Sequence, residues 1–517
     1  MKKKINHILP ALVLTASLGL TTVSCNGFLD EMPDNRTELN TDQKIAKLLV
    51  SAYVDVSPNE LFELYSDNSD DSGPTYGYYK LSEQECYHWQ DTKEEYQDTP
   101  NSLWGGYYSA IAAANMALNA IEEKGNPASL DPQRGEALVC RAYCHFMLAN
   151  IFCNAYDTHA SQSLGVPYME EVETTVSPRY ERGTLEEVYR KVERDLLEGI
   201  DLISDDSYSV PKYHFTRKAA YAFAARFYLY YMKPDFSNCD RVIDFATRVL
   251  GTNPADLLRN WEALGNLSVN GNVQADAYIA SSNEANLLIS STVSNWGAIG
   301  SDYLIGPRYF HNQTLATSET CLSSGLWGSS DYFYLKPFST NGFVASILRK
   351  SGLYEGTYLY YMPVLFSTDE TLLCRAEAYA LKKMYAQSAA DITSWQRAYT
   401  RNKSVLTPEQ INTYYDRMSF YTPFTQQTPK KKLAPDFMIE EGMQENFIHC
   451  ILHIRRITTL HEGMRWPDIK RYGILIYRRD MANQRVTDEM PPNDLRYAIQ
   501  IPRSVIVAGI QPNPRRN

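Results

Sequence analysis

The sequence has no surplus of positive charge and no long uninterrupted hydrophobic run. It carries 50 Lys and Arg residues against 61 Asp and Glu residues, which gives a net charge of -11. An acidic chain of this kind disfavours binding to the phosphate backbone of nucleic acids. The apolar stretch at residues 8–20 is interrupted by Pro10, Thr15, Ser17 and Gly19. It is therefore too short and too broken to form a membrane-spanning helix.

The sequence also lacks the common motifs of catalysis. It has no Gly-x-Ser-x-Gly turn and no phosphate-binding loop, and no second His follows His461-Glu462 at the spacing of a zinc protease. Carboxylates are plentiful, but a glycosidase needs two of them across a cleft, which a sequence does not reveal. We therefore predict a binding protein without cofactor or metal, with a glycoside hydrolase as the weaker alternative.

The N-terminal region is typical of a secretory leader. Lys2, Lys3 and Lys4 form a basic start, and the apolar stretch follows it. Small residues then precede a cysteine in the segment Thr22-Val23-Ser24-Cys25. This order is similar to the processing site of a bacterial lipoprotein. We predict a signal peptide over residues 1–24 and lipid attachment to Cys25.

The remaining eight cysteines show no disulfide framework. Cys140 and Cys144 lie four residues apart in a helical pattern, which is a possible metal-ligand spacing, but no His or carboxylate completes a set on that face. Most of the others also lie in apolar helical contexts. We therefore predict buried free thiols rather than disulfides or a metal site.

Capped amphipathic segments dominate both ends of the chain. Pro100 and Pro132 each stand at the start of a helical pattern, and capping boxes begin at Thr184 and Thr407. From about residue 254 to 363 this periodicity fades, and Gly, Ser, Asn and aromatic residues rise. The pattern predicts a mostly α fold of tetratricopeptide-like helical pairs that carries an irregular, loop-rich insertion.

Aromatic residues suggest where a ligand would bind. The chain has 38 Tyr residues against 18 Phe residues, and a ring with a polar edge suits a surface better than a core. Sugar rings stack their C–H faces on such side chains, and polar neighbours bind the hydroxyls. Two loop stretches offer this combination, at residues 76–90 and 296–334. From them and the polar loop before them we predict ligand contacts by Asp67, Trp89, Trp296, Tyr303, Trp327 and Tyr332.

The polar loop contains three acidic residues, Asp67, Asp70 and Asp71. Carboxylates in a loop bind sugar hydroxyls or Ca²⁺, but these three lack the ligand spacing of an EF-hand. A solvated loop without a ligand is the alternative interpretation.

Several ordered segments resemble the SusD/RagB family of Bacteroidetes lipoproteins. The resemblance begins at Cys25 and runs to the C-terminal segment at residues 499–514. It is most distinctive at residues 461–473, where His-Glu-Gly-Met-Arg-Trp-Pro-Asp-Ile-Lys-Arg-Tyr-Gly is similar to a family signature. Arg465, Asp468 and Arg471 of this segment are predicted to form internal ion pairs rather than a catalytic group. The chain departs from the family pattern at residues 454–459 and at Phe366, where the family has Arg.

The resemblance implies a function and a location. It implies a single SusD-like domain over residues 25–517 on the surface of the outer membrane. It implies binding of a nutrient oligosaccharide, which is passed to a SusC-like TonB-dependent transporter, and it points to the two aromatic stretches as the ligand face. RagB-like members imply peptide or another nutrient as the alternative ligand. A structural lipoprotein or adhesin also remains open.

Overall fold

The computed structural model describes residues 39–75, 79–175, 179–268, 273–296, 308–320, 325–328, 332–334, 352–355, 358–480 and 483–515. For residues 313, 352–355, 358 and 359 only the backbone is described. Asn40–Asn517 form one compact unit. Residues 1–38, with the predicted leader and Cys25, lie outside the described residues. The predicted boundary after residue 24 therefore stays a prediction.

Long helices with local capping signals build most of the molecule. Thr184 accepts a hydrogen bond from the backbone N–H of Glu187, and the capping box at Thr407 is also formed. The first helices are α1 (Asp42–Leu49), α2 (Asn59–Tyr65), α3 (Leu81–Tyr87), α4 (Pro100–Glu123), α5 (Asp131–Phe152), α6 (Leu185–Leu202), α7 (Arg217–Tyr230), α8 (Asn238–Leu250), α9 (Trp261–Gly265) and α10 (Val273–Ile279). The later ones are α11 (Gln313–Leu315), α12 (Thr368–Leu381), α13 (Tyr385–Tyr399), α14 (Pro408–Arg417), α15 (Met443–Thr458), α16 (Arg465–Tyr472) and α17 (Arg503–Val507).

Neighbouring helices pack as successive pairs, so the predicted mostly helical fold class is confirmed. The pairs are α4 with α5, α5 with α6, α7 with α8, and α12 with α13. Helix α5 is buried over most of its length, as its apolar pattern predicts. Its contact with α6 depends on two glycines, because a Cβ on Gly135 would lie 2.8 Å from the carbonyl oxygen of Gly199. In the described part of the chain, no helix is long and apolar enough to cross a membrane.

Short strands connect the irregular middle of the chain to its ends. The strands are β1 (Asp70–Asp71), β2 (Asn286–Ile289), β3 (Thr292–Val293), β4 (Tyr309–Phe310), β5 (Gly352–Glu355), β6 (Tyr358–Tyr361), β7 (Val364–Ser367), β8 (Ile476–Asp480) and β9 (Arg485–Met490). All their pairings are antiparallel: β1 with β4, β2 with β7, β6 with both β3 and β5, and β8 with β9. The β1–β4 pair brings the middle of the chain to the acidic loop.

The irregular stretch differs in one respect from the sequence-based expectation. The irregular stretch contains short helices and strands, which are too brief to show a periodicity. The prediction of free thiols is confirmed for the seven cysteines that the structure describes: all are buried and unpaired with one another.

Candidate ligand-binding site

Two tryptophans that we predicted to contact ligand are core residues. Trp327 is 1% exposed and packs on Trp395, His453 and Phe333, with ring centroids 5.3, 5.1 and 6.5 Å away. Trp89 is 4% exposed, and its indole N–H donates to the carbonyl oxygen of Tyr65 at 2.9 Å. Neither ring has a face open to a ligand, so these two predictions are corrected.

Asp67 is a buried ion-pair partner and not a surface carboxylate. Arg465 donates two hydrogen bonds to it at 2.7 and 2.9 Å, and Lys431 donates a third at 2.6 Å. Burial raises the pKa of Asp67, but Arg456, Arg465 and Lys431 together hold it well below its usual range. Its oxygens are therefore occupied, and the predicted role in binding hydroxyls or Ca²⁺ is corrected. Among the described residues no cluster of His, Cys, Asp or Glu has the geometry of a metal site.

The other predicted contacts are placed differently. Trp296 is half-buried, and its indole N–H donates to the carbonyl oxygen of His461 at 2.9 Å. Its ring also stacks on His461, with centroids 5.6 Å apart. Tyr332 is 45% exposed. Tyr303 lies outside the described residues. Contact of Trp296 and Tyr332 with a ligand stays a prediction.

The two aromatic stretches meet at the β1–β4 pair. Tyr309 of β4 stacks on Tyr87 with centroids 4.5 Å apart, and meets Tyr79 edge to face at 5.8 Å. His88 lies 6.0 Å from the ring of Tyr309. Tyr79 is 39% exposed, so its ring is available at the surface. We call Asp71, Tyr79, His88, Arg308 and Tyr309 the β1–β4 face.

An ion pair anchors the polar side of this face. Arg308 donates two hydrogen bonds to Asp71, both at 2.7 Å. Its guanidinium lies 5.3 Å from the ring of Tyr79 and 5.2 Å from that of Tyr309. The hydrogen bonds that Arg308 donates to Asp71 raise the pKa of Arg308, so the guanidinium stays charged. Both charged groups are partly exposed, as a site for polar ligand groups requires.

The hydroxyl group of Tyr309 is an unsatisfied polar group of the β1–β4 face. Its hydroxyl is buried and has no partner among the described residues. Burial raises the pKa of Tyr309 to about 12, with Arg308 opposing the shift, so the hydroxyl is protonated at neutral pH. An unsatisfied buried hydroxyl costs about 1–3 kcal/mol. A water or a ligand hydroxyl would satisfy it.

Buried arginines hold the loop that leads into β1. Arg478 of β8 donates to the carbonyl oxygens of Leu64, Tyr65 and Ser66 at 2.6, 3.0 and 2.9 Å. Arg479, the next residue, donates to Asp70 at 2.5 Å. Asp70 and Asp71 are consecutive residues of β1, so their side chains point to opposite faces of the strand. Arg479 therefore holds Asp70 inside the protein, while Asp71 lies on the β1–β4 face.

The signature segment is structural, as predicted. Arg465 pairs with Asp67, while Asp468 accepts from Arg455 and Arg471 at 3.2 and 2.7 Å. The departure at Phe366 is also explained by packing. The guanidinium of Arg226 lies 4.2 Å from the Phe366 ring and donates to Glu370 of α12. The ring of Phe366 thus stacks on the guanidinium of Arg226, which is already paired with Glu370.

Arg308 and His88 were missed by sequence reasoning. Each directly adjoins a tyrosine of the two aromatic stretches, Tyr309 and Tyr87, and that neighbourhood was the available signal. The pairing of β1 with β4 was needed to bring Arg308 to Asp71, because the two residues are 237 positions apart.

Comparison with known proteins agrees with this architecture. Residues 27–229 match the family model SusD-like_3, described as "Starch-binding associating with outer membrane". No curated protein matches the chain significantly.

Solved structures resemble the chain over most of its length. A SusD superfamily protein from Bacteroides fragilis is 15% identical, with a TM-score of 0.62, and the match covers 91% of this chain and 98% of that one. A SusD superfamily protein from Bacteroides vulgatus is 18% identical, with a TM-score of 0.61 and coverage of 92% and 100%. A SusD-like carbohydrate binding protein from Bacteroides vulgatus is 15% identical, with a TM-score of 0.60 and coverage of 91% and 96%. The resemblance to SusD proteins that the sequence predicts is therefore confirmed, and the fold is SusD-like.

Proposed function

We propose that this chain, which has a SusD-like fold, is a cell-surface lipoprotein that binds a nutrient oligosaccharide and delivers it to a SusC-like TonB-dependent transporter. The observation that carries the proposal is the β1–β4 face. An exposed tyrosine ring there lies beside a paired Arg308 and Asp71. The ring offers a surface for the C–H face of a sugar, and the charged groups offer donors and acceptors for its hydroxyls.

The family match and the leader support the same proposal. The matched family is described as starch-binding and associated with the outer membrane, and one structural neighbour is described as carbohydrate binding. The small residues before Cys25 suit processing to a lipoprotein. We expect Cys25→Ala to leave the protein unanchored, as measured by fractionation of membranes. A variant that stays membrane-bound and normally processed would contradict the anchor.

Removal of the Tyr79 ring tests the binding site. Glycan and peptide arrays first identify the ligand, and calorimetry then measures its affinity. We expect Tyr79→Ala to weaken glycan binding by about 1 kcal/mol, or roughly fivefold, because the stacking surface is lost. Tyr79→Phe keeps the ring and should keep most of the affinity. Met438→Ala, at another exposed apolar residue, is the control.

The same experiments decide between the proposal and its alternatives. Binding to peptides but not to glycans would replace the oligosaccharide by a peptide ligand. Shortening of a bound oligosaccharide by the purified protein, abolished by a carboxylate substitution, would establish a glycoside hydrolase. Purification from outer membranes without a TonB-dependent barrel would favour a stand-alone adhesin over a transporter component.

A further inference from the structure

One cavity of the molecule shares no residue with the β1–β4 face. Its volume is about 490 Å³, and it is partly open to solvent. Its walls come from the segment after α1, from the first half of α4, from the turn at Pro211–Tyr213 and from the end of β2. Small-molecule sites in proteins have volumes of roughly 300–1,000 Å³. The cavity is therefore large enough for a small ligand.

A hydrogen-bond network fixes one histidine in the wall of this cavity. Nδ1 of His214 lies 2.7 Å from Oε1 of Glu136, which also accepts a hydrogen bond from the hydroxyl of Tyr53 at 2.7 Å. The hydroxyl of Tyr53 in turn accepts from the backbone N–H of Phe215 at 2.7 Å. Glu136 is 4% exposed, so it orients the imidazole from inside the protein.

Two aromatic rings hold the plane of the imidazole. Tyr208 stacks on His214 with centroids 4.5 Å apart and an angle of 10°, and Tyr53 meets it edge to face at 5.6 Å. Because a carboxylate accepts at Nδ1, that nitrogen carries a proton, and in the neutral tautomer of such an imidazole Nε2 is an acceptor. Among the described residues Nε2 has no hydrogen-bond partner, and His214 lines the cavity. Nε2 is thus the ring nitrogen left for a hydrogen bond with a ligand.

The other groups of the wall indicate the class of ligand. Ser51, Ser109 and Ser291 supply hydroxyls, Asp55 supplies a carboxylate, and Val54 and Ile289 supply apolar surface. No lysine or arginine is among the described residues that line the cavity, which disfavours phosphates and carboxylates as ligands. The wall therefore fits a neutral molecule that donates hydrogen bonds and also has an apolar face.

We propose that this cavity is a second ligand site, which binds a neutral polyol of monosaccharide or disaccharide size with one hydroxyl donating to Nε2 of His214. The site does not depend on the function proposed for the β1–β4 face. The fixed imidazole provides specificity for one hydroxyl of the ligand, and the serines bind the neighbouring hydroxyls of the ligand.

Nuclear magnetic resonance of histidine tests the proposal directly. The full mature chain is labelled with ¹³C at Cε1 of histidine, and His214→Gln assigns the signal. Glucose, maltose and myo-inositol are then titrated to high millimolar concentration. We expect at least one of these probes to shift the His214 signal in a saturable way. Glucosamine, whose amine is cationic, is the comparison probe.

Substitutions that fill the cavity are the decisive variants. Ser109→Trp, from the exposed surface of α4, and Ser291→Trp, from the exposed residue between β2 and β3, should each weaken the response at least tenfold. Ala112→Trp, exposed on the same helix but outside the cavity, should leave it unchanged. Tyr79→Ala should also leave it unchanged, which separates this site from the β1–β4 face.

The proposal is overturned by any of three results. These are a His214 signal that no neutral polyol shifts, a shift that survives both tryptophan substitutions in folded protein, and a shift produced by glucosamine alone. Circular dichroism melting shows whether each variant is folded. If one tryptophan variant does not fold, the other gives the answer.

Discussion

Trp327 is enclosed by rings from three other parts of the chain. Removing a large buried aromatic side chain leaves a cavity, and costs about 3–5 kcal/mol. We therefore expect Trp327→Ala to lower the free energy of unfolding by this amount in urea titrations. Tyr332→Ala, only five residues away but 45% exposed, should change it by less than about 0.5 kcal/mol. A Trp327→Ala protein of normal stability that binds glycan weakly would show that the ring contacts ligand.

Composition alone does not separate such buried rings from exposed ones. Trp89 and Trp327 lie in loop stretches as Tyr79 does, but the loops fold back over the first two and leave the third exposed. The sequence did indicate that the two stretches belong together, because both mix aromatic and polar residues. Their meeting at Tyr87 and Tyr309 supports that interpretation.

A substitution of Arg308 that keeps its positive charge tests whether the shape of the guanidinium matters for the β1–β4 face. Its planar guanidinium binds both oxygens of Asp71, which the ammonium of a lysine does not reproduce. We expect Arg308→Lys to weaken glycan binding about tenfold in calorimetry, with little change in the melting temperature, because the pair is partly exposed. Arg485→Lys, at a surface pair of β9, is the matched control. Equal effects of the two substitutions would contradict the assignment.

Among the helices and strands, local signals predicted the helices better than the strands. Capping boxes and proline positions are read from neighbouring residues, so the starts at Pro100, Leu185 and Pro408 agree with the structure. Strands of two to four residues carry too few side chains for a visible alternation. Most of these short strands also pair with a partner that is distant in sequence, as Asp71 does with Tyr309.

The C-terminal end of α5 is stabilised by a buried lysine from another helix. Lys470 of α16 donates to the carbonyl oxygens of Asn150 and Cys153 at 2.7 and 2.9 Å. Burial lowers the pKa of Lys470 to about 7. In the unfolded chain the pKa is about 10.4. Between pH 7 and 10 the unfolded chain therefore holds a proton that the folded chain has lost.

This difference predicts how stability changes with pH. Because the unfolded state binds more protons over that range, the free energy of unfolding should rise by about 1.4 kcal/mol per pH unit from this group. Lys470→Met should remove that rise between pH 7 and 9, as measured by urea unfolding at several pH values. A variant with the same pH profile as the unchanged protein would contradict the lowered pKa.

Across the whole molecule, buried polar groups join segments that are far apart in sequence. Asp67 and Arg465 are 398 positions apart, and Asn68 and Arg456 are 388 apart. The signature segment at residues 461–473 thus binds the C-terminal part of the chain to the loop that contains Asp67. Sequence reasoning predicted that the segment's charges are internal. Only the fold showed that their partner is Asp67, a residue that resembles a surface carboxylate when the sequence is read alone.

Three buried histidines make the whole molecule sensitive to acid. Burial lowers the pKa of His145 and of His453 to about 3, and that of His311 to about 4. Each is neutral and hydrogen-bonded in the folded protein. Nε2 of His453 donates to the carbonyl oxygen of Thr320 and its Nδ1 accepts from the hydroxyl of Tyr415, while Nδ1 of His145 and of His311 each donates to a backbone carbonyl oxygen. In the unfolded chain a histidine has a pKa near 6.5.

The sign of the effect follows from these values. Above about pH 6.5 all three histidines are neutral in the folded and in the unfolded state. In that range they do not make the free energy of unfolding depend on pH. As the pH falls from 6.5 towards 4, the unfolded chain binds three protons that the folded chain does not bind. The free energy of unfolding therefore falls by about 1.4 kcal/mol per pH unit for each histidine. We expect His453→Gln, which keeps hydrogen-bonding capacity but does not titrate, to reduce the slope of unfolding free energy against pH by about 1.4 kcal/mol per pH unit in this range. His159→Gln, at an exposed histidine, should not change it. If both variants lose stability with acid as steeply as the unchanged protein, the carboxylates and not the buried histidines dominate its acid unfolding.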